Sequence, residues 1–230
     1  PGELTRGPFI QPLYSGQEKL KCLLIATFNI SDYYEIGKTA NTSANIFSNN
    51  TPHQIIFFGS PGTGKSRVID IKTKGYNRVR TTFHPETDYH SFVGSYKPVM
   101  DEEAIRYDFV PQAFTKAYCN AWLNPEQPYF LIIEEINRGN CAQIFGDIFQ
   151  CLDRDDNGFS KYEIDCDKDL ANYIKSVFEA SDNVEAVENY KEFIQTEDFD
   201  KIILPNNLYI LATMNTSDQS LFPMDSAFKR

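Results

Sequence analysis

The chain has 230 residues and a net charge of −10, with 41% hydrophobic and 23% charged residues. That balance suits a packed globular core and is too apolar for a disordered chain, while no stretch approaches the run of about 18 apolar residues that spans a membrane. No signal-peptide pattern opens it, no basic stripe marks a stand-alone nucleic-acid binder, and the start at Pro1 reads as a piece of a longer protein.

In chain order, residues 20–30 are apolar enough for a buried helix or strand, and periodicity does not decide between them. Residues 38–52, rich in Asn, Ser and Thr, read as an exposed loop and divide the chain into an N-terminal extension or linker (1–52) and a main domain (53–230). Residues 55–58 are a short apolar strand ending in Gly59, and the stretch with Val68, Ile69 and Ile71 is helical. Residues 77–83 form a second, β-branched strand. Residues 111–122 place Phe114, Ala117, Tyr118 and Ala121 on one helical face, and residues 129–133 and 208–213 are further buried strands. Short apolar strands alternating with helices predict an α/β fold with a parallel sheet covered on both faces.

Charge is uneven along the chain. Residues 163–201 hold 12 acidic and 4 basic side chains. Leu170, Ile174, Val177 and Phe178 fall on one helical face there, and Val184, Val187, Tyr190 and Phe193 repeat every third residue. Two amphipathic helices broken at residues 180–183 therefore form an acidic helical insertion at about 165–200, with a solvated outer face. Five cysteines without a C-x-x-C pair, and three histidines at no zinc spacing, fit reduced thiols in a cytoplasmic protein.

Gly59-Ser-Pro61-Gly62-Thr63-Gly64-Lys65-Ser66 matches G-x-x-x-x-G-K-[ST]. Glycines let successive N–H groups face one concavity, the following helix adds its N-terminal partial charge, and Lys65 brings a full charge to phosphate. The Ser66 hydroxyl suits Mg2+. A second apolar strand ends in Glu134-Glu135, where the first carboxylate suits the metal and the second can polarise an attacking water. Asn215, just past the strand at 208–213, is placed to hold that water or the γ-phosphate.

Together these residues resemble the AAA+ P-loop NTPases, specifically the McrB-like branch, the motor subunits of modified-cytosine-dependent restriction systems in DNA defence. Glu134-Glu135-Ile-Asn137-Arg138-Gly-Asn140 resembles the family's extended acidic motif. Met214-Asn215-Thr-Ser-Asp218-Gln219-Ser220 resembles its M-N-T-A-D-R-S signature loop, and Thr82-Phe-His-Pro85 with residues 88–94 resembles the block after its second strand. The resemblance covers about residues 54–230. It implies GTP as the nucleotide, although without an N-K-x-D-type motif the residues themselves leave GTP or ATP open, with Mg2+ as cofactor, a ring oligomer of hexameric size, a McrC-type nuclease partner, DNA contact through domains outside this chain, and no membrane. Carried over, Asn215 is the sensor residue, Asp218 a signature-loop acid, and Arg230 the finger reaching a neighbouring subunit's γ-phosphate. Two positions depart from the pattern: Gln219 stands where the signature has Arg, and Glu134 where Asp is commoner. The last strand of the core and the C-terminal lid would lie beyond Arg230.

The residues therefore predict a Mg2+-dependent NTP hydrolase with Glu135, Asn215 and Arg230 catalytic and Ser66 and Glu134 at the metal. Two alternatives are a nucleotide-binding assembly module with little hydrolysis and a MoxR-like remodelling ATPase. Asp153-Arg-Asp155-Asp-Asn157-Gly158 begins like a calcium loop, but the closing Glu is out of register, so it reads as a turn. His84 and His90 lack a nucleophile motif and read as packing residues.

Overall fold

The computed structural model describes residues 24–27, 51–101, 104–195 and 198–215. Leu24–Thr27 forms β1, Gln54–Gly59 β2, Lys65–Lys72 helix α1, Asn77–Thr82 β3 and Tyr89–Phe92 the short helix α2. Gly94–Asp101 (β4) and Ala104–Pro111 (β5) make a hairpin, followed by α3 (Ala113–Leu123), β6 (Tyr129–Glu134) and α4 (Cys141–Phe145). Then come β7 (Ile164–Asp165), α5 (Lys168–Glu179), α6 (Val184–Ile194), β8 (Lys201–Ile202) and β9 (Leu208–Asn215).

The expected α/β fold with a parallel sheet is what forms. Five strands lie in the order β1-β2-β9-β6-β3, every pair parallel. The central strands β2, β6 and β9 are apolar on both faces because both faces are covered. Ile55, Phe57, Phe130, Ile132, Tyr209 and Leu211 pack against Val68 and Ile69 of α1. Their neighbours Ile56, Leu131, Ile133, Ile210 and Ala212 point the other way, into the larger core with Phe114, Ala117 and Tyr118 of α3. Each such Ile, Leu or Phe contributes about 1.5–3 kcal/mol by leaving water, so the sheet centre is the best-anchored part of the molecule.

The register aligns the carboxyl ends of the strands. Gly59 pairs with Asn215, Ile133 with Ala212 and Thr82 with Glu134. Residues just past β2, β6 and β9 therefore meet at one edge of the sheet, where parallel α/β sheets present their ligand sites.

Three features differ from the sequence expectations. Residues 24–27, placed before the main domain, pair with residues 55–58 as an outer strand of the same sheet and satisfy backbone groups on that side of β2. The hairpin β4–β5 has no Asn-Gly or Asp-Gly turn to mark it in the sequence. Its rungs Tyr96–Phe109, Pro98–Tyr107 and Met100–Ile105 share one face, and Met100 and Tyr107 stay 77% and 68% exposed. In α6 the buried positions are Ala186, Tyr190 and Ile194, at steps of four, while Val184 is exposed. The helix turns its small Ala186 inward so that Tyr190 can reach Trp122 of α3, ring centres 5.0 Å apart.

The helical insertion otherwise forms as expected. Leu170, Ile174 and Phe178 are buried, Asp167 caps α5 by accepting from the Leu170 N–H (2.8 Å), and Asn183 caps α6 through the Ala186 N–H (3.2 Å). The antiparallel pair β7–β8 closes its base. Nearby, the buried Arg154 guanidinium donates to the carbonyls of Gly158, Leu204, Pro205 and Leu208 at 3.0–3.1 Å, fastening the chain that leads into β9. Among the described residues no helix is long and apolar enough to cross a membrane.

Candidate functional site

The loop from Gly59 to Ser66 runs from the end of β2 into α1. Gly62 (φ 79°) and Gly64 (φ 84°) take left-handed conformations that L side chains resist, and nothing lies within 4 Å of where a Cβ would stand on either. The loop is thus an open cradle, and Gly64 delivers the chain into α1, its carbonyl accepting from the Val68 N–H (3.0 Å). Lys65 is 6% exposed and folds back over its own loop, its Nζ donating to the carbonyls of Gly59 (3.0 Å) and Ser60 (2.8 Å). Burial pulls its pKa below the ordinary lysine value, opposed by the charges of Glu135 and Glu134. An incoming phosphate would offer this ammonium the anion that it lacks in the loop.

At the end of β6 the two carboxylates diverge. Glu134 Oε2 accepts from Ser66 Oγ (2.9 Å) and Thr213 Oγ1 (2.5 Å), while Oε1 accepts from Arg80. Ser66 Oγ and Glu134 Oε2 are adjacent hard oxygen donors below the phosphate cradle, a donor set that fits Mg2+. Glu135 has φ 55° and ψ 45°, the left-handed region rarely held by a residue with a side chain. Such a conformation costs about 1–3 kcal/mol and collects at working sites. It turns the Glu135 carboxylate toward β9, where Asn215 Nδ2 donates to both oxygens at 2.6 Å and Arg138 Nε lies 3.4 Å away. The Glu135 N–H donates to Thr213 Oγ1 (3.0 Å), so one hydroxyl holds both the Glu134 carboxylate and the Glu135 backbone.

The extended acidic motif has a structural share as well. Asn137 is buried and its Nδ2 donates to the Asn215 carbonyl (2.9 Å), locking the tip of β9 to the turn after β6. Asn140 caps α4 through the Gln143 N–H. Phe83 is fully buried against Phe92 and Phe145, and Asp88 and Ser91 form a capping box at α2. The 82–94 block thus braces the turn that carries Glu135.

The structure therefore brings together Gly59, Pro61, Gly62, Thr63, Gly64, Lys65, Ser66, Glu134, Glu135, Asn137, Arg138 and Asn215. Asp218 and Arg230 lie outside the described residues. The Asp155 carboxylate accepts from the N–H groups of Asn157 and Phe159, which makes the calcium-like stretch a turn. His90 packs edge-on to Tyr89.

Sequence reasoning missed Thr213 and an ion-pair chain behind Glu134. Arg80 donates to Glu134 and to Asp70 (2.5 Å), and Arg78 donates to the same Asp70 oxygen (2.9 Å) and to Thr73 (2.8 Å). The available signal was the spacing: Arg78 and Arg80 alternate onto one face of β3, while Ser66, Asp70 and Thr73 lie on one face of the α1 segment.

The AAA domain model of the dynein-related subfamily matches residues 54–230. The chain belongs to this family. Two curated relatives, both of restriction systems, make it McrB-like within that family. The chain is 37% identical over 207 residues to the Type II restriction enzyme BsuMI component YdiS of Bacillus subtilis, an alignment that covers 78% of this chain and 55% of that protein. It is 29% identical over 187 residues to the Type IV methyl-directed restriction enzyme EcoKMcrB subunit of Escherichia coli, covering 76% of this chain and 33% of that one. The chain thus spans about half or less of the length of these curated relatives.

Proposed function

We propose that this AAA domain is a Mg2+-dependent nucleoside triphosphate hydrolase, acting on GTP or ATP as the motor of an McrB-like restriction system. The observation that carries the proposal is the convergence of Lys65, the Ser66–Glu134 pair and the Glu135–Asn215 pair at the aligned ends of β2, β6 and β9. In this reading the N–H groups of the cradle and Lys65 Nζ hold the β- and γ-phosphates, Lys65 exchanging loop carbonyls for phosphate oxygens. Ser66 Oγ and Glu134 hold Mg2+, which when bound offsets charge on the phosphate oxygens. Glu135 accepts a proton from the attacking water, and Asn215, already hydrogen-bonded to that carboxylate, fixes where the water and the γ-phosphate sit.

Asp218 and Arg230 complete the site in the proposal, Arg230 from a neighbouring subunit of a hexameric ring. An arginine supplied in trans is worth about 10³–10⁵ in rate, so turnover belongs to the assembly. The relatives' names, both of restriction enzymes, support DNA contact, and the McrB-like resemblance of the motifs supports a McrC-type nuclease partner; both would involve segments outside this chain. A cytoplasmic setting goes with the free thiols of Cys119, Cys141, Cys151 and Cys166.

The test is phosphate release from GTP and from ATP by the assembled protein and by its Glu135→Gln variant. The variant should bind nucleotide as the wild type does and lose about 10²–10⁴ in rate. Full turnover in the variant would remove Glu135 from the chemistry. Binding without turnover in the wild type would favour an assembly module, the reading that fits a Glu135 held on both oxygens by Asn215.

A further inference from the structure

The carboxylate assigned to the metal already has a cation beside it. Arg80 projects from β3, next to β6 in the sheet, with its partner Ile132 two residues before Glu134. Residues two apart on a strand share a face, so Arg80 and Glu134 are diagonal neighbours, a separation that two long side chains bridge. The guanidinium is divided: one nitrogen donates to Glu134 Oε1, the other to Asp70 on the phosphate-loop helix. The Glu134 side chain is 13% exposed and that of Arg80 34%, so their interaction is only partly screened.

The two oxygens of Glu134 are thereby put to separate use. Oε2 faces Ser66 and Thr213, on the side of the cradle, and Oε1 faces Arg80. An aspartate, one methylene shorter, could not serve both sides from the same backbone position.

We propose that Arg80 is a positioning residue that neutralises and orients Glu134 when no cation is bound, and so reduces the dependence of nucleotide binding on Mg2+. The proposal rests on the reading of Glu134 as the metal carboxylate. Without Mg2+, Glu134 repels the phosphates, and the Arg80 charge offsets that repulsion. With Mg2+ bound, the same charge stands near a dication and opposes it. Arg80 therefore narrows the gap between the two affinities, and removing its charge widens it. Asp70 sets the strength of the effect by sharing the guanidinium.

The experiment measures the Kd of non-hydrolysable GTP and ATP analogues by calorimetry, with Mg2+ and with EDTA, on the full protein and its variants. The quantity read is the ratio of Kd in EDTA to Kd in Mg2+, which needs no turnover. In Arg80→Gln this ratio should rise about 5-fold, the upper range for a partly exposed charge pair. Arg80→Lys, which keeps the charge, should return it toward wild type. Adding Arg80→Gln to Glu134→Asp should change it less than adding it to the wild type, because the shorter carboxylate loosens its contact with the guanidinium. A merely structural Arg80 would lower the melting temperature and leave the ratio alone.

An unchanged ratio in a folded Arg80→Gln protein that still binds Mg2+-nucleotide overturns the proposal. Should that variant not fold, Asp70→Asn takes its place: the guanidinium then acts on Glu134 alone, the ratio should fall, and a constant ratio overturns the proposal equally. A wild type that binds neither analogue overturns the nucleotide reading beneath it, recognisable because every variant is then equally silent.

Discussion

Lys65 and the cysteines show how burial acts on single residues here. Lys65 is drawn down by desolvation and held by two loop carbonyls, a cation kept ready rather than solvated. The thiols of Cys119, Cys141, Cys151 and Cys166 are pushed up to about 12, chiefly by the same loss of water. A raised folded pKa means that the native state keeps protons the unfolded chain gives up near pH 8.5. Their stabilising contribution is therefore complete below that pH and is lost as the pH climbs toward 12. The buried tyrosines Tyr118 and Tyr190 and the half-buried Tyr89 act in the same direction. Lys65, Lys72 and Arg154 are pulled down by burial and soften the slope, but are outnumbered. Melting temperature measured from pH 7 to 11 should stay level to about pH 8.5 and then fall; a rise over the alkaline limb would contradict these burials. At this scale the phosphate loop was legible because its eight residues are contiguous and each glycine has a local reason. Arg80 was not, because its partner lies 54 positions away and is reached only through the β3–β6 register.

The elements divide by how local their cause is. α3 and α5 were legible from helical spacing alone, since Phe114, Ala117, Tyr118 and Ala121, and Leu170, Ile174 and Phe178, are the residues that become buried. In α6 two nearly equivalent faces compete, and the choice of Ala186, Tyr190 and Ile194 is made by what α3 offers across the interface, the Trp122 ring and the Tyr118 hydroxyl, 3.2 Å from that of Tyr190. The hairpin β4–β5 is not legible in the sequence because its outer rungs face water and so lack the clean alternation that marks a half-buried strand. Phe178 is the joint of the helical insertion, its ring 4.5 Å from that of Tyr190 and 5.7 Å from that of Phe199. Phe178→Ala should cost about 3–5 kcal/mol, seen in urea unfolding as a lower midpoint at unchanged slope. A midpoint within error of the wild type would mean that the insertion does not depend on that joint.

At the scale of the molecule, the fold class was readable and the strand order was not. Alternating apolar strands and helices require a covered parallel sheet, but β9 sits between β2 and β6 only through pairings that span more than 70 residues. That placement sets Asn215 beside Glu135 and Thr213 beside Glu134, and so turns separate strand ends into one site. The acidic charge of residues 163–201 belongs to the segment bearing α5 and α6, whereas the strand ends gather Lys65, Arg80 and Arg138 around two glutamates. The central claim is that this junction binds a nucleoside triphosphate with Mg2+. Its most direct test is a thermal-shift titration with GTP, ATP and their non-hydrolysable analogues, with and without Mg2+, on the wild type and Lys65→Ala. A ligand at 100 times its Kd should add about 2.7 kcal/mol of stability, so the account predicts a Mg2+-enhanced rise in melting temperature with GTP or ATP that Lys65→Ala abolishes. No shift with either nucleotide, or an equal shift in Lys65→Ala, would contradict it.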